Sequence, residues 1–230
     1  NAGWVDAFWT YGLGAAAAGV ALSDGGGARS GIVAGLMAAW SLRLGGHIVR
    51  RCRLGPEDSR YAHFRVEWGV GFEQRMFIFL QIQALAALLL LVPVLLAAAA
   101  PAPLGWLDAL GVVVALTAFV GEGVADRQLQ AFRGYPRNHG RVCDAGLWGW
   151  SRHPNYFFEW LHWWAYPLLA FGADWGWLAL SGPVLMYWLL VHVSGIPPLE
   201  AQMLRSRGAA YRDYQSRVSA FLPLPRGWTR

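Results

Sequence analysis

An all-α polytopic membrane protein of about six transmembrane helices, followed by a C-terminal amphipathic cytoplasmic helix, is the fold class predicted by three features of the sequence. Of the 230 residues, 56% are hydrophobic and only 14% charged, well outside the mix of a soluble domain. The apolar residues are gathered into long runs. The basic residues are gathered into a few segments between those runs.

The runs extend from Trp4 to Leu22, Gly31 to Val49, Met76 to Ala100, Leu107 to Gly121, Tyr156 to Ala173 and Trp175 to Gly195. Most are long enough to cross a hydrocarbon layer of about 30 Å at about 1.5 Å per residue. The fourth is short, but Glu122, Asp126, Leu129 and Arg133 follow at helical spacing and continue one face of it. The fifth starts behind Pro154, which suits a first helical position because that position needs no N–H. From Pro198 onward, Leu199, Met203, Tyr211, Tyr214, Val218 and Phe221 alternate with Arg205, Arg207, Arg212 and Arg217. This predicts the amphipathic cytoplasmic helix, either lying on anionic lipid or closing over a cytoplasmic site. With no repeat or linker, residues 1–230 read as one transmembrane domain. Asn1 to Leu22 carries Asp6 and lacks a basic lead-in, which does not fit a signal peptide.

All 19 basic residues are Arg. Six lie between Arg50 and Arg75, five between Glu122 and His153 and six after Gly195, leaving Arg29 and Arg43 elsewhere. The positive-inside tendency places these three segments, and both termini, in the cytoplasm. The connections Ser23 to Ser30, Pro101 to Trp106 and Gly172 to Asp174 have the short, Arg-poor character of outer turns. The pI of about 9.6 therefore reflects membrane orientation, and a nucleic-acid partner is not expected. Trp4, Trp106, Trp148, Trp150, Trp175 and Trp177 fall near predicted helix ends, as an aromatic belt would. Trp160, Trp163 and Trp164 read as packing residues, with a ligand cage as the alternative. Cys52 and Cys143 have no metal-ligand spacing and read as reduced structural thiols.

Ionisable groups inside apolar segments mark sites by default. Here they are Asp6, Arg43, His47, Glu159 and His162, with a structural pairing of Asp6 and Arg43 as the plainer alternative. Arg141, Gly146, Arg152, His153, Pro154, Asn155 and Tyr156 crowd against the start of the fifth helix. A helix N-terminus flanked by Arg133, Arg141 and Arg152 favours a phosphate or another anion. Glu159 and His162 have Glu-x-x-His spacing, but only one copy is present where di-iron bundles use two, so no metal is expected. No P-loop or Gly-x-Gly-x-x-Gly follows a strand.

The stretch GLWGWSRHPNYFFE from Gly146 to Glu159, with Asp126 and Arg133 upstream, resembles the C-terminal region of the steroid 5-alpha-reductase family, most closely its bacterial branch. The similarity extends to Val5–Trp9, Leu42–His47, Glu57–Tyr61 and the ending with Tyr211, Tyr214, Phe221 and Pro223. The resemblance implies a nicotinamide dinucleotide, NADPH by preference, held in a cofactor half spanning about residues 107–230. Asp126, Arg133, Arg141 and Asn155 would contact it, with Arg152, His153 and Tyr156 at the helix start, Glu159 beside the nicotinamide, and Tyr211 and Tyr214 closing over it. Asp6 and His47 would supply the acid and the proton donor, His47 standing at the family's Tyr position.

The expected reaction is reduction of a carbon–carbon double bond conjugated to a carbonyl in a steroid-like, isoprenoid or other lipid substrate. The expected setting is a bacterial inner membrane. The Arg-His-Pro-x-Tyr element is shared with isoprenylcysteine carboxyl methyltransferases, so S-adenosylmethionine and methyl transfer are the alternative. A non-catalytic subunit of a membrane complex is a third possibility.

Overall fold

The computed structural model describes residues 2–23, 27–55 and 59–226. Asn1, residues 24–26 of the first short connection, and Glu57 and Asp58 of the family-like motif lie outside them. The described helices are α1 (Trp4–Ser23), α2 (Ala28–Leu54), α3 (Ser59–Trp68), α4 (Phe72–Ala98), α5 (Trp106–Gly134), α6 (Pro154–Trp163), α7 (Ala165–Leu169), α8 (Ser181–Trp188), α9 (Ile196–Arg207) and α10 (Ala209–Arg217). Among the described residues there is no strand, only an isolated parallel bridge between Ser151 and Ser219. Among the described residues five stretches are long and apolar enough to cross a membrane: Trp4–Ser23, Ala28–Leu54, Tyr61–Ala98, Trp106–Gly134 and Gly176–Arg207.

The chain forms two compact units, one of Asn1–Val112 with Tyr166–Gly182, the other of Val113–Ala165 with Pro183–Arg230. In the first unit, α1 buries Ala7, Thr10, Gly14, Ala17 and Ala21, a stripe of small side chains at three- and four-residue steps. This stripe lets α2 approach closely, as small residues do between membrane helices. A methyl group on Gly14 would overlap Ser41, and one on Gly45 would meet the Tyr11 ring. Rising numbers on α2 meet falling numbers on α1, so the pair is antiparallel. Ser41 Oγ donates to the Thr10 carbonyl at 3.1 Å, and Trp9 Nε1 donates to the Gln83 carbonyl of α4 at 2.9 Å.

Arg29 closes the other end of this unit. Its guanidinium meets both oxygens of Asp108, at 2.7 and 2.9 Å, and donates to the carbonyls of Ala100, Ala102 and Pro103. Asp108 also accepts from the Gly105 N–H at 2.7 Å. A buried charge is tolerable only when its donors are satisfied, and here the α4–α5 connection wraps around the guanidinium to satisfy them.

In the second unit α5 and α6 pack through Gly121, where the Phe158 ring fills the space a side chain would need, and through Phe119 stacked on His162 at 5.0 Å. The helical face predicted beyond Glu122 is present, since α5 continues to Gly134. Three expectations are corrected here. The run from Tyr156 to Ala173 is broken into α6 and α7: Pro167 has no N–H for the Trp163 carbonyl, and the Trp164 N–H turns tightly onto Leu161 at 3.1 Å. The C-terminal amphipathic segment is two helices, interrupted at Gly208, whose φ of +52° suits glycine. Trp148 is buried rather than in a belt, because its indole N–H finds the Ala125 carbonyl at 2.9 Å. Trp106, Trp150, Trp175 and Trp177 are exposed as expected.

Candidate functional site

In the first unit Asp6 lies in the opening turn of α1, and its Oδ1 accepts from the Tyr61 hydroxyl at 2.7 Å. Tyr61, on α3, is 1% exposed and held edge-on by Phe64 and Phe79. This places a phenol and a carboxyl together in aromatic surroundings, a donor–acceptor pair suited to a polar group on an otherwise apolar molecule. His47, the expected proton donor, lies on the exposed surface of α2. Tyr61 ends the Glu57–Tyr61 motif but sits in an Arg-rich segment outside the apolar runs, so it is not among the polar groups those runs contain.

In the second unit the start of α6 is built as expected, with Pro154 first and His153 as the preceding cap residue. Asn155 reaches toward Asp126 on α5, Nδ2 to Oδ1 at 3.5 Å. Arg133 and Arg141 are exposed. Glu159 is buried and accepts from the Trp163 indole at 3.3 Å.

Arg152 and His153 are engaged differently. Arg152 Nε meets Glu200 Oε1 at 2.6 Å, and its Nη1 donates to the carbonyls of Val218 and Gln215 at 2.6 and 3.2 Å. His153 Nε2 lies 3.3 Å from the same carboxylate oxygen, and its ring stacks on Tyr156 at 5.7 Å. Tyr211 also donates to Glu200, at 3.3 Å, and Gln215 donates at 2.8 Å to the second oxygen. Tyr214 donates to the Trp148 carbonyl at 2.6 Å. Both tyrosine hydroxyls are buried, which pushes their pKa values up and keeps them neutral donors. Burial pushes His153 below its ordinary value, against the opposing pull of Glu200. Burial also raises Cys143, leaving it a free thiol of low reactivity.

The centre of this network, Glu200, is absent from the sequence-based candidates. Its signal was available: it is one of two acids after Gly195, in a segment carrying six Arg.

The segment following α10 is fastened to the loop before α6. The Arg152 N–H donates to Ser219, Ser151 Oγ to the Phe221 carbonyl and the Leu224 N–H to Trp150, all within 3.0 Å. Arg226 reaches the carbonyls of Gly149 and Asp144. Phe221 packs against Phe157, Trp160 and Tyr187, with ring centroids 5.5 to 5.9 Å apart.

These helices, apolar spans and polar clusters define an all-α polytopic membrane protein. The chain belongs to the family described as "Protein of unknown function (DUF1295)", whose model matches residues 1–218, and this family is part of the steroid 5-alpha-reductase-like superfamily. No curated protein and no solved structure matches the chain.

Proposed function

We propose that this protein is an NADPH-dependent reductase of a carbon–carbon double bond conjugated to a carbonyl in a lipid substrate. The hydrogen bond between Tyr61 and Asp6 carries the proposal. It supplies the tyrosine–carboxyl pair that the family resemblance implies, with Tyr61 rather than His47 as the phenolic donor. The donor set of the second unit fits a dinucleotide: the exposed guanidiniums of Arg133 and Arg141 suit phosphates, and Asp126 with Asn155 suits ribose hydroxyls.

When bound, a reduced nicotinamide would supply the hydride taken up by the β-carbon of the conjugated bond, and water would supply the proton taken up by the α-carbon. The Tyr61 O–H, held by Asp6 in the first unit, suits the carbonyl oxygen of an enone, where negative charge develops on reduction. Phe64 and Phe79 keep the phenol in dry surroundings, where this interaction is worth more than in water. The Arg-rich segments face the cytoplasm, where the charged cofactor is available, and the apolar substrate arrives through the bilayer of a bacterial inner membrane.

The test is thermal stability of the purified full-length protein with NADPH, NADH or S-adenosylmethionine, followed by turnover of lipid enones. Stabilisation by NADPH and loss of turnover in Tyr61→Phe support the proposal. Stabilisation by S-adenosylmethionine alone replaces it with methyl transfer. Indifference to all three, with co-purification of a membrane partner, points to a non-catalytic subunit.

A further inference from the structure

We infer that Glu200 is a positioning residue for the dinucleotide site at the start of α6, acting through Arg152 and His153; this rests on the reductase proposal above. Its carboxylate gathers four side-chain donors: Arg152, His153 and Tyr211 on one oxygen and Gln215 on the other. A carboxylate only accepts, so the His153 ring carries its proton on Nε2 and leaves Nδ1 as an acceptor.

His153 caps α6 immediately before Pro154, and its ring lies parallel to that of Tyr156, with 14° between planes. Fixing the imidazole therefore fixes the Tyr156 ring. Arg152 is fixed by the same carboxylate and by two carbonyls near the end of α10. Glu200 on α9 thus sets side-chain orientations at a helix start 48 positions earlier in the chain. Arg152 in this way shapes the start of α6, while the exposed Arg133 and Arg141 meet the cofactor phosphates.

The experiment compares full-length wild type, Glu200→Gln and Glu200→Asp in lipid nanodiscs, with Arg133→Ala as a binding control. NADPH affinity and the His153 tautomer, the latter from nitrogen NMR, are measured on each. An amide can no longer serve as an acceptor at both termini, so Glu200→Gln is expected to weaken NADPH binding about tenfold and release the Nε2–H tautomer. Glu200→Asp restores both in part, and Arg133→Ala weakens binding while leaving the tautomer unchanged. Wild-type affinity or an unchanged tautomer in Glu200→Gln overturns the inference.

A wild-type protein that ignores NADPH, yet loses its fixed tautomer in Glu200→Gln, overturns the reductase proposal and with it the cofactor role of Glu200, leaving the network as fold contacts. If Glu200→Gln does not fold, Gln215→Ala removes a single donor from the carboxylate. A smaller loss of affinity then supports the inference, and none overturns it.

Discussion

The Tyr61 hydroxyl on α3 donates to Asp6 Oδ1 in the first turn of α1 at 2.7 Å, joining two segments 55 positions apart. Tyr61→Phe keeps the edge-on contacts with Phe64 and Phe79 and removes only the donor. Reduction of a lipid enone is expected to slow by about 100-fold with NADPH affinity unchanged. The hydrogen bond itself contributes about 1 kcal/mol to stability. NADPH consumption and thermal unfolding measure the two effects separately. An equal loss of rate in His47→Ala, with Tyr61→Phe active, would return the donor role to His47.

Arg29 and Asp108 form a buried bidentate pair whose donors also hold the α4–α5 connection. Removing either partner alone leaves a buried charge uncompensated, and Asp108→Ala is expected to cost about 3–5 kcal/mol. The double replacement Arg29→Met with Asp108→Leu costs less than the sum of the single changes. Thermal unfolding in detergent checks the inequality, which fails if the single variants are additive.

Arg133 and Arg141 are exposed, and the Arg152 guanidinium meets Glu200 at 2.6 Å. Arg133→Ala and Arg141→Ala are each expected to weaken NADPH binding about tenfold, increasingly at low salt, with unfolding midpoints near wild type. Arg152→Ala weakens NADPH binding indirectly and lowers the unfolding midpoint with it, since it leaves the Glu200 carboxylate and two carbonyls short of donors. A stable Arg152→Ala protein with selectively weakened NADPH binding would place that guanidinium on the cofactor.

His153 faces Glu200, Arg152 and Tyr156, with Tyr211 on the same carboxylate oxygen, and burial holds its pKa below the ordinary value of 6.5. The unfolded chain therefore takes up the proton first as pH falls. The stability supplied by neutral His153 is complete above 6.5 and is lost as pH falls through its lower value in the folded protein. Unfolding midpoints measured from about pH 7.5 down to about pH 5 should decline in wild type and decline less in His153→Gln. Parallel curves for the two proteins would show that another group controls the acid limb.

The spanning helices were legible because apolar runs declare themselves locally. The α5 face from Glu122 to Arg133 and the Pro154 start of α6 were legible for the same reason. The break after Trp163 was also written in the sequence, as Pro167 inside an apolar run, but run length concealed it. Glu200 was harder to find: its importance arises only where α9 meets the residues before α6, a relationship with no local pattern. Trp148 shows the opposite error, a position near a helix end taken for the interface although its indole bonds inside. Tyr61 required knowing that α3 returns to the first turn of α1.

The fastening of residues 214–226 to the loop at 144–153 has a consequence for biosynthesis. The loop is translated well before the segment that holds it, and all ten described helices leave the ribosome before Ser219, Phe221 and Leu224 do. A chain cut short before Ser219 would keep every one of these helices and still leave the start of α6 without its neighbour, so completion of the site waits on the last residues made.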